Sequence, residues 1–254
     1  MTEIGLRPHR ATTRRAAASG TLPDARRIRT ILGRSPHSKT MPGEVLDRLA
    51  SLGHIERYQD GELIHAAWQP VRRLWLVLSG GLRVSEVSAD GSALTTAVLG
   101  EGSYYALGSL VKEGMRVKSE AHANGNTDTA VFELAQLERE FGDNKDVQHH
   151  RRLLLYLRFW ALADLYRDAL ALALPQRLAR RLLGQALAAG RGPDIELRVV
   201  LADLAAMLGA SRSRVNAELR RLEASGVVRL GYRQIVVRDL ELLRAAAGAD
   251  VMPL

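Results

Sequence analysis

Hydrophobic positions along residues 201–222 (LADLAAMLGASRSRVNAELRRL) recur at helical spacing in two short runs. Leu201, Leu204 and Leu208 mark the first run, and Val215, Leu219 and Leu222 mark the second. Between them, Gly209-Ala210-Ser211 supplies a turn. Glycine tolerates the left-handed conformation that ends a helix. Ser211 is placed to accept hydrogen bonds from the first free amides of the next one. Ala205, four residues before Gly209, is small where two helices must approach closely; Val215, six after it, is apolar where the second must plug the core. This pattern predicts a helix-turn-helix, whose second helix enters the DNA major groove. An ordinary helical hairpin is the plainer alternative. Two further apolar runs, 227–230 and 235–237, flank Gly231-Tyr232-Arg233 and predict a hairpin, making the unit a winged helix.

Upstream, the period changes. Residues 42–52 (PGEVLDRLASL) read as a short amphipathic helix with proline near its first turn. From 53 to 134 the period is two: Leu74, Leu76 and Leu78 alternate with Trp75 and Val77, and Asp90-Gly91 is a hairpin signal. Glycines at 61, 80, 81, 91, 100, 102, 108 and 114 are spaced as turns, which predicts an antiparallel all-β roll or small barrel. Residues 132–141 read as a short helix. Residues 146–173 (DVQHHRRLLLYLRFWALADLYRDALALA) read as a long one, whose charges at 151, 152, 158, 164, 167 and 168 fall on no single face. A helix apolar nearly all round is buried on more than one side. Packing on the β-unit would cover one side and a second copy of the chain the other, with Leu155 and Leu162, one heptad apart, as seam residues. Burial inside one large domain is the alternative. Pro175 opens a further helix that ends at Gly190.

The predicted class is α+β: an antiparallel β-roll of jelly-roll type (42–145), a dimerisation helix (146–173) and a C-terminal winged helix-turn-helix (174–254). Residues 1–41 show no stable hydrophobic period and are interrupted by Pro8, Pro23 and Pro36. They read as a disordered basic arm with a transient helix near 24–32. It either touches DNA phosphate nonspecifically or is a solvated tail.

Charge sharpens this picture. The net charge of +8 is distributed as +7 over residues 1–42, −6 over 43–143, +2 over 144–173 and +5 over 174–254. Basic ends suit a polyanion and an acidic middle does not. Thirty-two of the 36 basic residues are arginine. The absence of cysteine excludes disulfides, thiolate zinc sites, cysteine-ligated iron–sulfur clusters and cysteine nucleophiles. No run of about 18 apolar residues suggests a membrane span, and the basic N-terminus lacks the apolar segment of a secretory signal. A cytoplasmic location is expected.

The exposed face of the second motif helix would carry Ser211, Arg212, Ser213, Arg214, Asn216, Arg220 and Arg221. Arginine near the helix start can reach guanine O6 and N7 with two parallel hydrogen bonds, while Arg220 and Arg221 suit phosphates.

A β-roll, a long helix and a winged helix, in that order, resemble the Crp/Fnr family of bacterial transcription regulators over about residues 42–245. The motifs that carry the resemblance are 61–92, LGEGSYYALGSL at 99–110, and 201–230. The resemblance implies a homodimer on a two-fold symmetric operator in double-stranded DNA, with RNA polymerase as a further partner and no membrane. Arg212 matches the family's guanine-reading arginine. Ser213 stands where many members have glutamate, and Ala217 where many have arginine.

The implied effector pocket departs further. Cyclic-nucleotide-binding members carry Gly-Glu near a short helix of the roll; here Gly108 is followed by Ser109. They then carry Arg-Ser or Arg-Thr for the cyclic phosphate; here the stretch is Gly114-Met115-Arg116-Val117-Lys118-Ser119-Glu120. Arg116 or Lys118 with Ser119 remain candidates for an anion, and exposed loop cations are the plainer reading. Tyr104 and Tyr105 are candidates to line or fill the pocket. Control by cyclic AMP is not expected, no cofactor is implied, and the effector is open. Haem is left open by His54, His65, His122, His149 and His150, none of which is singled out by spacing. A cupin-like metal enzyme or a ligand-binding module without DNA activity are the rivals. The usual H-x-H pair, nucleophile elbow, Walker loop and dinucleotide fingerprint are all missing from the sequence. No catalytic residue or metal ligand is named, and the protein is not expected to be an enzyme.

Overall fold

Strand β3 of the computed structural model (Arg73–Ser79, RLWLVLS) has five consecutive buried residues, Leu74 to Leu78, and the layers are built around it. The structure describes residues 22–35, 38, 41–87, 93–111, 114–189 and 194–248. Before β3 come α1 (Leu22–Arg34), α2 (Gly43–Leu52), β1 (His54–Tyr58) and β2 (Leu63–His65). After it come β4 (Leu82–Val87), β5 (Ala93–Leu99), β6 (Tyr104–Tyr105), a 3₁₀ turn at Leu107–Leu110, β7 (Ser119–Ala123), β8 (Thr127–Glu133) and α3 (Leu134–Phe141). The strands form two four-stranded antiparallel sheets, ordered β1-β8-β3-β6 and β2-β7-β4-β5. The hairpin expected at Asp90-Gly91 turns outside the described residues. Its strands pair from Leu82↔Leu99 to Val87↔Ala93, with a register shift between Val84 and Ser85.

Alternation along β3 divides its side chains between two cores. Trp75 and Val77 enter the roll between the sheets, with Leu82, Val84, Leu99 and Tyr105. Leu74, Leu76 and Leu78 face the other way, into a layer made by α1, α2 and α3. A strand buried on both faces reads as a continuous apolar run.

The sequence reading of a disordered arm to residue 41 is corrected from Leu22 onward. Helix α1 is a layer of the roll, with Ile28 and Leu32 at 0% exposure. Arg27 pairs with Asp128 at 2.5 Å, and the Ser35 hydroxyl donates to the Gly102 carbonyl at 2.7 Å. The packing admits no side chain at Gly53, where a Cβ would lie 2.7 Å from the Phe132 ring and 3.0 Å from Ile28. Ile28, Ile31 and Leu32 form one short i, i+3, i+4 stripe among arginines. One such turn is too little periodicity to distinguish a core helix from a transient one.

Helix α4 (Lys145–Ala171) starts at Asn144, whose side chain accepts from the Val147 amide at 3.0 Å. Val147, His150 and Leu154 are buried, but most of the later turns stand open. The C-terminal unit follows: α5 (Leu174–Ala189), β9 (Ile195–Arg198), α6 (Leu201–Met207), α7 (Arg212–Ala224), β10 (Val228–Gly231), β11 (Gln234–Val237) and α8 (Leu240–Ala247). Its sheet is ordered β10-β11-β9. The third strand, β9, begins inside the stretch 191–196 that reads as polar in the sequence. Ile195 and Leu197 point into the core and Glu196 and Arg198 out of it, so four residues carry only one and a half alternations. Val215 and Leu219 of α7 anchor in the same core. Gly209 takes φ +58° between α6 and α7, with no atom near its missing Cβ; its role is conformational, as the turn requires. Helix α6 also lies against β5 of the roll, where buried Asp203 accepts from Thr95 Oγ1 at 3.3 Å and faces Arg83 at 3.9 Å.

Candidate DNA-reading face and effector cleft

While Val215 and Leu219 are buried, Ser211, Arg212, Ser213, Arg214, Asn216, Arg220 and Arg221 of α7 and its cap are exposed. Ser211 caps α7, its Oγ accepting from the Arg214 amide at 3.4 Å. That places Arg212, Ser213 and Arg214 in the first turn, where amides and dipole favour an anion. All seven residues are thus exposed on α7 or at its cap. Their engagement differs. Arg220 pairs with Glu223 at 2.8 Å and Arg221 with Glu218 at 2.7 Å, each one turn along the same helix. Arg212 and Arg214 form no ion pair among the described residues. Glu223 also accepts from the Leu230 amide of β10 at 2.9 Å, tying the wing to α7. That amide bond, then the Arg220 hydrogen bond and charge, hold the Glu223 carboxyl below the usual carboxylate range against a weak opposing effect of burial.

Two wing residues escaped the sequence reading: Arg229, exposed on β10, and Tyr232, 93% exposed at the tip. Arg233 beside it adopts φ +53° and reaches Asp60 of the roll at 3.4 Å. The Gly-Tyr-Arg turn was visible in sequence; how far its tip stands from the core was not.

The effector-pocket candidates are spread over several surroundings. A cleft of about 1490 Å³ opens between the roll, α4 and the C-terminal unit, and Tyr104, Gly108 and Ser119 line it. Ser109 is buried, and its hydroxyl donates to the Ala106 carbonyl within the 3₁₀ turn. Arg116 is exposed and donates to the Trp68 carbonyl at 2.8 Å; Lys118 is exposed as well, and neither lines the cleft. Tyr104 and Tyr105 part company. The Tyr104 ring packs into the helical layer, where burial pushes its hydroxyl up to about 12. The Tyr105 ring packs inside the roll, 5.6 Å from Trp75 and 6.0 Å from His65 between ring centroids. His65 Nδ1 and the Tyr105 hydroxyl lie 3.3 Å apart, and burial lowers the His65 pKa, favouring the neutral ring. Three rings thus fill this part of the roll interior.

Sequence reasoning overlooked the basic residues of the cleft. Arg158 of α4 and Arg181 of α5 both line it, beside Gln185. Burial, then the charge of Arg158, pushes the Arg181 guanidinium down to about 10. Arg158 is exposed at the edge of the cleft, and the partial desolvation of its guanidinium lowers its pKa. In sequence Arg158 is a single charge in the apolar stretch LYLRFW and Arg181 is one of a pair in LARRLL, and both read as solvated positions. Leu155 and Leu162, expected at a dimer seam, lie on the cleft side of α4. The adjacent side exposes Tyr156, Phe159, Trp160, Tyr166 and Leu170 at 44–72%. Among the described residues, no group of three His, Asp or Glu could hold a metal ion, and no helix is long and apolar enough to cross a membrane.

Comparison with known proteins agrees with this architecture. The family model of the cyclic nucleotide-binding domain matches residues 55–144, and that of the Crp-like helix-turn-helix domain matches 176–246. The Cyclic AMP receptor protein of Thermus thermophilus is 30% identical over 216 residues, covering 84% of this chain and 97% of that protein. The CRP-like cAMP-activated global transcriptional regulator of Mycobacterium tuberculosis is 24% identical, covering 74% and 85%. Among solved structures, FixK2 from Bradyrhizobium japonicum shares the fold, with a TM-score of 0.70 at 20% identity over 78% of this chain and 99% of FixK2. A roll, a long helix and a capped recognition helix with a wing, matched along nearly the whole length of a relative, make the chain a DNA-binding transcription regulator of the Crp/Fnr family.

Proposed function

We propose that this regulator acts as a homodimer that reads a two-fold symmetric operator through the first turn of α7. The observation that carries the reading is the pair of unengaged cations, Arg212 and Arg214, held beside the Ser211 cap while Val215 and Leu219 fix the helix from behind. Arg212 reads a guanine, Asn216 lies one turn further along the same face, and Arg220, Arg221 and Arg229 contact phosphates. Ser213 and Ala217 remove two groups that many family members use, so the half-site differs from theirs. Selection from a random duplex pool tests this: a palindromic site with half-sites about one DNA turn apart is expected, and recovery of no palindrome would refute it.

Self-association uses the open side of α4. Tyr156, Phe159, Ala163, Tyr166 and Leu170 follow one another at alternating steps of three and four, the spacing of a two-helix seam. Leu155 and Leu162 flank that seam on the cleft side. RNA polymerase is the downstream partner of the bound dimer.

Cyclic AMP does not control this protein, although the names of two of its relatives refer to cyclic AMP. Support comes from Ser109, turned into its own backbone, from Arg116 and Lys118 lying off the cleft, and from the His65, Trp75 and Tyr105 rings inside the roll. Calorimetric titration with cyclic AMP and cyclic GMP is expected to show no one-to-one site below about 10 micromolar.

A further inference from the structure

Arg181 carries a guanidinium that no acidic side chain pairs with among the described residues. The residue is 8% exposed, and its Nε is buried with no hydrogen-bond partner. Among the described residues its Nη2 meets the Met207 thioether, at 2.7 Å, a weak acceptor. The charged group nearest to it in effect is another cation, Arg158, which lines the same cleft from α4. Gln185, one turn along α5, leaves its Oε1 buried and unpartnered beside them. Glu86, Glu101 and Glu196 also border the cleft, and none of them pairs with either arginine among the described residues. Neighbouring Arg180, by contrast, is buried against Asp168 at 2.6 Å. Burying a charge is costly unless it is paired and hydrogen-bonded, and two unpaired cations in one cleft repel each other as well.

We propose that Arg158 and Arg181 form an anion site that takes the phosphoryl group of a small-molecule effector, in the cleft between the roll, α4 and α5. Guanidinium groups bind phosphoryl oxygens through paired, charge-assisted hydrogen bonds, and two of them match an oxyanion with three free oxygens better than a flat carboxylate. The cleft walls carry the rest of the molecule: Tyr105, Leu107 and Gly108 from the roll and Leu162 from α4. Because Arg158 belongs to α4 and Arg181 to α5, the bound anion bridges the two helices across residues 172–173. Occupancy therefore bears on how the DNA-reading unit is held. The site deepens the reading of this cleft as the effector pocket and moves its charge away from Arg116 and Lys118.

The test is thermal unfolding of the full chain, in inorganic phosphate against chloride at matched ionic strength. Phosphate is expected to raise the Tm saturably, by about 3–6 °C at ten times its Kd. Arg181→Gln is expected to abolish that increment while unfolding at the same or a higher temperature than wild type in chloride, since a buried unpaired charge is gone. A purely structural role would lower the Tm of R181Q in both salts. Arg158→Gln, at the open edge of the cleft, is expected to weaken the increment and serves if R181Q does not fold. Equal behaviour in phosphate and chloride, an increment kept by both variants, or a rise with citrate in place of phosphate overturns the site. Pyrophosphate and cyclic AMP complete the series. If cyclic AMP raises the Tm through the same two arginines, the anion site stands and independence from cyclic AMP falls. If phosphate does nothing, the site falls and that independence is untouched.

Discussion

Arg180 donates through Nε to Asp168 at 2.6 Å, with both side chains buried, across the break between α4 and α5. Leu172 in that break is extended, and the ion pair ties the two helices together across it. Asp168→Asn leaves the buried guanidinium with a neutral partner. It is expected to destabilise the fold by about 3–5 kcal/mol, the cost of breaking a buried pair from one side. Replacing both residues by leucine is expected to recover much of that loss. Urea unfolding of Asp168→Leu, Arg180→Leu and the double leucine variant measures the coupling; additive losses would show that the pair does not hold the joint.

At the DNA surface, Arg212→Ala is expected to cost about 1–3 kcal/mol, confined to one base pair in each half-site. Binding-site selection with the variant reads this as relaxed preference at that position. A uniform loss at every position would reassign Arg212 to a phosphate.

Glu223 restrains two DNA candidates at once, Arg220 by an ion pair and the wing through the Leu230 amide. Glu223→Gln keeps an acceptor for that amide and removes the charge that competes for Arg220. Nonspecific affinity is expected to rise, and the slope of log K against log salt to steepen by about one phosphate contact. Fluorescence anisotropy across a salt series measures it. An unchanged slope would mean that Arg220 reaches no phosphate.

The open side of α4 leads to a separation of effects. Phe159→Asp is expected to yield a folded monomer, because Phe159 is 66% exposed in one chain and contributes little to its core. Leu154→Asp is expected to unfold the chain, because Leu154 is 5% exposed. Sedimentation velocity with circular dichroism distinguishes the two. A dimer retained by F159D would move the seam elsewhere, Leu155 and Leu162 being next to examine.

Glu56 supplies an acid-side dependence. Burial raises its pKa, but hydrogen bonds from His54 and Tyr58 and the charges of Arg73 and His54 outweigh that, leaving it below its ordinary value. A carboxyl depressed in the folded state stabilises above its unfolded pKa, and that contribution is lost as pH falls through the folded value. Glu56→Gln is therefore expected to flatten the fall in Tm below about pH 4.5. An identical acid limb in both proteins would remove Glu56 from the account.

The helix-turn-helix was legible in one dimension because its determinants are local. Gly209 turns the chain, Ser211 caps the next helix, and Val215 and Leu219 return at helical spacing, all within 22 residues. The β-roll was legible for the same reason, through period-two runs and glycine turns. What the cleft holds was not. Arg158 and Arg181 are 23 positions apart, each looking like a solvated charge on its own helix, and only the fold of α5 back beside α4 sets them in one cavity. Tyr104 and Tyr105 are adjacent, yet the strand pleat sends one ring into the helical layer and the other into the roll. Helix α1 needed the outer face of a sheet formed by strands beginning 20 or more residues later before its three apolar side chains had anything to cover. Local propensity and period belong to the sequence; burial belongs to whatever lies opposite, and distant segments reach that place only once the chain has folded.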